Sequence, residues 1–200
     1  MEDQNLIKYK PHLVSALAPY NIADHKIDYI INHVSYKEIK KGNYFSTVNN
    51  VCKYIGLIIE GNFRSYTLGA NGVEKTHKFY YHPVNIVITS YDSYYKGNNS
   101  YENIQALSDS KLLVISSIDM HIVLDELPEL DRIVRDILAA ELHRVNGVNQ
   151  DREKYNNEEW LINQHKEAPY LFKKPFRTHL PTFSPMSRAL CFELCSKLNI

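Results

Sequence analysis

Seven short runs between residues 34 and 116 constrain this chain more than anything else in it: "VSYKEIK", "KYIGLIIE", "NFRSYTL", "EKTHKFYY", "VNIVIT", "YENIQAL" and "KLLVIS". Each is six to eight residues long, rich in Val, Ile, Tyr and Phe, and fenced by turn residues. β-branched and aromatic side chains suit a pleated, half-buried surface, so these runs predict strands. No helix-length segment separates most of them, which excludes alternating βαβ units and points to a β-sandwich or roll. The "ANG" at 70–72 predicts a hairpin reversal, because Asn-Gly accepts the positive φ angles of a tight turn.

Helical texture flanks the strands. Residues 5–33 read as helical pieces broken near Pro19–Asn21, with Leu13, Leu17, Ile27, Ile30 and Ile31 as packing positions. "SSIDMHIVLDEL" has a serine cap and an early Asp119, and stops before Pro128. Pro128 then opens a longer helix, "PELDRIVRDILAAELHRVNGVN". On it Val134, Leu138, Leu142, Val145 and Val148 share a stripe that Ile133 and Ile137 widen. At about 1.5 Å per residue the helix spans on the order of 33 Å. Capping the sheet would account for part of this band, but its double width fits a partner helix from a second subunit better. The last segment reads as a helix ("NNEEWLINQHKEA"), a loop ("PYLFKKPFRTHLPTF") and a helix ("SPMSRALCFELCSKL").

Net charge over the 200 residues is zero, but its distribution is uneven. From Trp160 to Ile200 there are six basic residues and two acidic ones, so the rest of the chain is acidic by the same margin. A basic end on an acidic body suits a polyanion-facing module. Cys52, Cys191 and Cys195 are too few for a disulfide scaffold. Cys191 and Cys195 sit one helical turn apart with no zinc-spaced partner, which predicts buried thiols and no metal. The N-terminus lacks an apolar signal region and no run approaches a membrane span, so a soluble protein of a reducing, cytoplasmic compartment is expected. No Ser-His-Asp, paired-carboxylate or phosphate-loop pattern stands out, and none of the nine histidines forms a His-x-His pair in a strand. An enzyme, and any cofactor, is therefore not expected.

In the final helix Ser184-Pro185 has the form of a helix start, a serine cap followed by a proline with no N–H to satisfy. Met186, Leu190, Leu194 and Leu198, with Ala189 beside them, predict its apolar face. Ser187, Arg188, Ser196 and Lys197 supply its polar contacts.

This order of parts resembles the Crp/Fnr family of bacterial transcription regulators, in particular a divergent branch common in Bacteroidetes. The local similarities are "IKKGNYF" at 39–45, "LIIEGNFRSYTL" at 57–68, "NGVEKT" at 71–76, "NIQALSDSKLLVIS" at 103–116 and "ELPELDRIV" at 126–134. The resemblance implies an α+β chain in three parts. Residues 1–127 would be a cyclic-nucleotide-binding-like β-roll with flanking helices, 128–150 a dimerisation helix, and 151–200 a helix-turn-helix-like, winged-helix-like module. It implies a homodimer joined through Val134, Ile137, Leu138, Leu142 and Val145. Double-stranded DNA would meet Lys173, Lys174, Arg177, Ser184, Ser187 and Arg188.

The chemistry departs from the frame. Family members that bind cyclic nucleotides use a Gly-Glu pair and, about ten residues on, an arginine that pairs with the cyclic phosphate. Thr89-Ser90 and Ser100-Tyr101 stand at those places. Cyclic AMP is therefore not the expected effector. Arg64, Thr89, Ser90, Tyr91, Ser100 and Tyr101 are the candidates for an unidentified small-molecule site. In the helix-turn-helix, Pro181 occupies the neighbourhood of the family's turn glycine, and Met186, Ala189 and Leu190 fill slots where polar readers are common. A second reading keeps the roll as a sensor whose C-terminal module no longer binds DNA.

Overall fold

The structure is a computed structural model that describes residues 6–200; residue 5, where the helical reading began, lies outside the described residues. Helix α1 (Lys10–Leu17) carries Pro11 in its first turn and runs into a 3-10 turn that Asn21 ends in the left-handed conformation, φ 52°. Helix α2 (Asp24–Ile31) buries Ile27, Ile30 and Ile31. The break expected near Pro19–Asn21 is there.

Eight strands follow: β1 (Ser35–Ile39), β2 (Tyr44–Ser46), β3 (Tyr54–Glu60), β4 (Asn62–Leu68), β5 (Glu74–Tyr81), β6 (Val87–Ile88), β7 (Asn103–Ala106) and β8 (Ser110–Ser116). They form two sheets, β1-β8-β3-β6 and β2-β7-β4-β5. The registered pairs of the first sheet are antiparallel, with Ser35 opposite Val114 and Gly56 opposite both Val114 and Ile88. Seven strands lie on the seven runs read from the sequence. The eighth, β2, is only three residues long and begins inside the "IKKGNYF" similarity at 39–45. Ile39, Ile58, Phe63, Tyr80, Ile88, Ile104, Ala106, Leu112 and Val114 form one buried cluster, with Phe45 packed against it.

Two glycines are required by geometry. At Gly61 φ is +106° and a Cβ would stand 2.5 Å from the Ser110 Cβ, so no other residue fits the β3–β4 turn. In the β4–β5 reversal the Gly69 N–H donates to the Val73 carbonyl at 2.8 Å. Only Gly72, at φ +75°, takes a positive angle there. Asn71 acts instead through its side chain, whose Oδ1 accepts from the Val73 N–H at 3.2 Å.

Helix α3 (Tyr91–Lys96) interrupts the strands, and α4 (Ser117–Glu126) follows β8. Its cap is the expected one: the Ser116 hydroxyl accepts from the Asp119 N–H. Pro128 opens a 3-10 turn, and the long helix α5 starts three residues later, at Asp131, running to Lys154. Helix α6 (Asn157–Glu167) starts on a reciprocal capping box between Asn156 and Glu159.

The stretch read as a loop at 169–183 is instead two 3-10 turns, Pro169–Phe172 and Phe176–His179, and a short helix α7 (Leu180–Phe183). Aromatic packing orders it, with Phe79 at 5.3 Å from Phe176 and Trp160 at 5.9 Å from Phe183. Pro181 opens α7 rather than ending a helix. Helix α8 is Arg188–Leu198, and no strand occurs after Ser116 among the described residues.

Contacts divide the chain into two compact units, Met1–Ser65 with Tyr80–Val134, and Tyr66–Phe79 with Arg135–Ile200. Among the described residues no helix is long and apolar enough to cross a membrane.

Candidate functional site

In the roll, β6 delivers Thr89 and Ser90 to the start of α3, and the turn before β7 delivers Ser100. The structure brings the two serines together: the Ser100 hydroxyl donates to the Ser90 hydroxyl at 3.0 Å and to the Glu102 carbonyl at 2.7 Å. Thr89 is fully buried, and its hydroxyl donates to the Tyr54 carbonyl at 3.0 Å. Ser93 closes the cassette from beneath, accepting from the Cys52 N–H at 2.8 Å and donating to the Asn98 carbonyl at 2.6 Å. A small hydroxyl cluster bonded to itself and to backbone satisfies every polar atom it buries. It presents no cation where a cyclic phosphate would need one.

The other candidates of the roll disperse. Arg64 on β4 is buried, and its Nε and Nη2 donate to the Gln105 Oε1 of β7 at 3.3 and 2.9 Å. Gln105 in turn donates to the Gly42 carbonyl. Arg64 thus braces β4 against β7. Tyr91 is half-buried, and Tyr101 points away with 64% of its surface exposed.

At the other end of the chain, α8 corrects the expected start. Ser184 ends α7, and its hydroxyl donates to the Pro181 and Met186 carbonyls at 3.1 and 3.3 Å. Ser187 is the cap, accepting from the Leu190 N–H at 3.3 Å. Both serines satisfy the rule for a cap; burial of Met186 between them decides in favour of the later one. The buried face of α8 centres on Cys191 and Cys195, with Leu190, Leu194 and Leu198 half-buried beside them. Both thiols are packed, and burial raises them, Cys191 to about 11, which keeps them protonated near neutral pH. Ala189, expected on the apolar face, is exposed instead.

The outward face of α8 carries Arg188, Ala189, Phe192, Glu193, Ser196 and Lys197. The Arg188 guanidinium lies 5.4 Å from the Phe192 ring centroid, and no carboxylate pairs with it among the described residues. Lys197 is bonded to Glu158 at 2.9 Å. Lys173 and Lys174 are exposed, without an ion pair among the described residues. Arg177 is exposed too, but its Nη2 donates to the Ile200 carbonyl at 3.2 Å, which ties it to the end of α8.

Along α5, Ile133 is buried and Val134 and Ile137 are half-buried. Leu138, Leu142 and Val145 are 38%, 62% and 39% exposed. Steps of four and three put these three on one side of the helix, the spacing of a helix–helix seam. A charged network on the same helix went unread in the sequence. Glu141 meets Lys78 of β5 at 2.5 Å and Arg144 at 2.6 Å, and Arg144 also donates to the His77 carbonyl. Burial pushes the Glu141 carboxyl up, but Arg144 and Lys78 outweigh it and hold it below its usual value. Residues 78 and 141 are far apart in sequence, so only folding reveals the pair.

No protein-family model and no curated protein matches the chain. Solved structures do. The c-di-GMP-responsive global regulator CLP of Xanthomonas campestris is 11% identical, over 88% of this chain and 92% of that one, at a TM-score of 0.69. FixK2 of Bradyrhizobium japonicum is 14% identical, over 83% and 84%, at 0.67. A cyclic nucleotide-binding domain from Methylobacillus flagellatus is 14% identical, over 69% and 80%, at 0.60. The chain thus has the fold of the Crp/Fnr regulators and of cyclic nucleotide-binding domains.

Proposed function

We propose that this chain is a homodimeric, DNA-binding transcription regulator of Crp/Fnr type whose roll does not use cyclic AMP. The uncovered seam of Leu138, Leu142 and Val145 carries the reading. Three large apolar side chains facing water on one side of a 24-residue helix leave apolar area that a second copy of the same helix covers. The partition is the one read from the sequence: a sensor roll at 1–127, a dimer helix at 128–150 and a DNA module at 151–200. In that module Arg188, on the outward face of a capped helix, is the base-reading candidate, and Lys173 and Lys174 hold phosphates. Ser187 acts through its cap. Ser184 and Arg177 brace the module, Ser184 through the Pro181 and Met186 carbonyls and the exposed Arg177 through the Ile200 carbonyl. A likeness that runs through most of CLP, described as a global regulator, supports the assignment.

Selection of duplexes from a random library tests it. Enriched sites should be inverted repeats with half-site centres about one helical turn, roughly 34 Å, apart. Recovery unaffected by cyclic AMP is expected, because the Ser90–Ser100 cluster has no guanidinium for the phosphate. No enrichment over random DNA at moderate salt would contradict the regulator reading.

One observation favours the second reading, a sensor module without DNA contact. The outward face of α8 presents Ala189, Phe192 and Glu193 beside its single unpaired arginine. In that case Arg188→Ala and Lys173→Ala leave function intact, and substitutions in the cassette abolish it.

A further inference from the structure

Within the second unit lies a concave cavity of about 720 Å³ that shares Ser184 and Arg188 with the proposed DNA module. Its wall brings together Lys75 of β5, Arg152 of α5 and Arg188 of α8 against a single carboxylate, Glu74. Thr182 and Ser184 add hydroxyls, and Val73, Pro181 and Pro185 add apolar surface. Three like charges around one hollow repel each other, and folding does nothing to relieve this with acidic partners: no ion pair joins Lys75, Arg152 or Arg188 to a carboxylate among the described residues.

Arg152 is the telling member. Its Nη2 donates to the Phe183 carbonyl at 3.2 Å, but its buried Nε has no hydrogen-bond partner. A group that served only as a brace for Phe183 would not need the remaining donors of a guanidinium held in a half-buried place.

We propose that this cavity is a binding site for a small phosphomonoester, its dianionic phosphate held by Arg152, Lys75 and Arg188 and its organic body lying on Val73, Pro181 and Pro185. The net charge of the wall matches a phosphate dianion rather than a singly charged diester, and the hollow has room for a small organic body beside the phosphate. The planar guanidinium forks of Arg152 and Arg188 suit the oxygens of a terminal phosphate. The site stands independently of the regulator reading. If both hold, ligand and duplex compete for Arg188.

The test is titration calorimetry of the full chain, without DNA, against AMP, UMP and glucose 6-phosphate. Adenosine, uridine, glucose, inorganic phosphate and cyclic AMP are the comparisons. At least one monophosphate should bind, and its phosphate-free parent, inorganic phosphate and the cyclic diester should each bind at least about tenfold more weakly. Lys75→Gln, an exposed position that leaves the core alone, should weaken the monophosphate by about tenfold, and Arg152→Gln by more. Should Arg152→Gln disturb the fold, Lys75→Gln and Arg188→Gln still decide. No heat from any monophosphate, binding untouched by Lys75→Gln and Arg188→Gln, or inorganic phosphate binding as well as the esters would each overturn the proposal.

Discussion

The roll cassette and the C-terminal module carry the two sets of residues that a regulator of this fold would use, and they treat their polar groups in opposite ways. At Thr89, Ser90, Ser93 and Ser100 every hydroxyl is buried and bonded to a neighbour or to backbone. At Lys173, Lys174 and Arg188 the cations face solvent, without a carboxylate among the described residues. A buried polar cluster that satisfies itself stabilises a fold and recognises nothing without first being broken. Exposed, unpaired cations add little to stability and remain available to a polyanion. Polar residues at a family's functional place therefore do not make a site; the direction of their hydrogen bonds does.

Substitutions in the two regions put this contrast to the test. The largest effect belongs to the apolar framework of either region: Leu112→Ala in the roll and Leu161→Ala in the module, both fully buried, should each cost about 2–5 kcal/mol in denaturant unfolding. Next comes the cassette itself. Ser100→Ala leaves the Glu102 N–H and the Ser90 hydroxyl without their partner and should cost about 1–3 kcal/mol, read as a fall in Tm. An unchanged Tm would mean the cassette is looser than its bonds imply.

Acid should act through Glu141, which ties the dimer helix α5 to β5. Its folded carboxyl is held below the usual 4.5, so its stabilisation is complete above that value and is lost as pH falls through the folded one. Glu141→Gln should flatten the acid limb of the stability profile below about pH 4.5; an unaltered limb would place the sensitivity elsewhere. Smallest in stability is Lys173→Gln, within about 0.5 kcal/mol of wild type. The same change should reduce the salt dependence of DNA binding by about one unit of slope. The contrast between the regions is sharpest there, since Ser100→Ala does the reverse.

Much of the fold was legible because strands and turns are local. Runs rich in β-branched and aromatic residues gave seven of the eight strands, and β2 escaped because Tyr44–Ser46 directly follows the turn-forming Lys40, Lys41, Gly42 and Asn43. Gly72 was legible as a turn, but the conformation of Asn71 was not, since its side chain supplied a second way to close the hairpin. The sites were less readable. Ser184-Pro185 and Ser187 both satisfy the rules for opening a helix, and only the burial of Met186 chooses between them. Arg64 was found as a residue but not as a brace, because Gln105 lies 41 positions away. Lys75 and Arg152 carried no signal at all: a cavity wall assembled from distant segments has no spacing to read.

The account rests most heavily on two copies meeting along Leu138, Leu142 and Val145, and sedimentation velocity of the intact chain and of Leu142→Glu tests that directly. Wild type should sediment as a dimer at micromolar concentration, and the variant as a folded monomer with unchanged circular dichroism. A wild-type monomer across that range, or a dimer that tolerates a buried, unpaired glutamate at position 142, would contradict it.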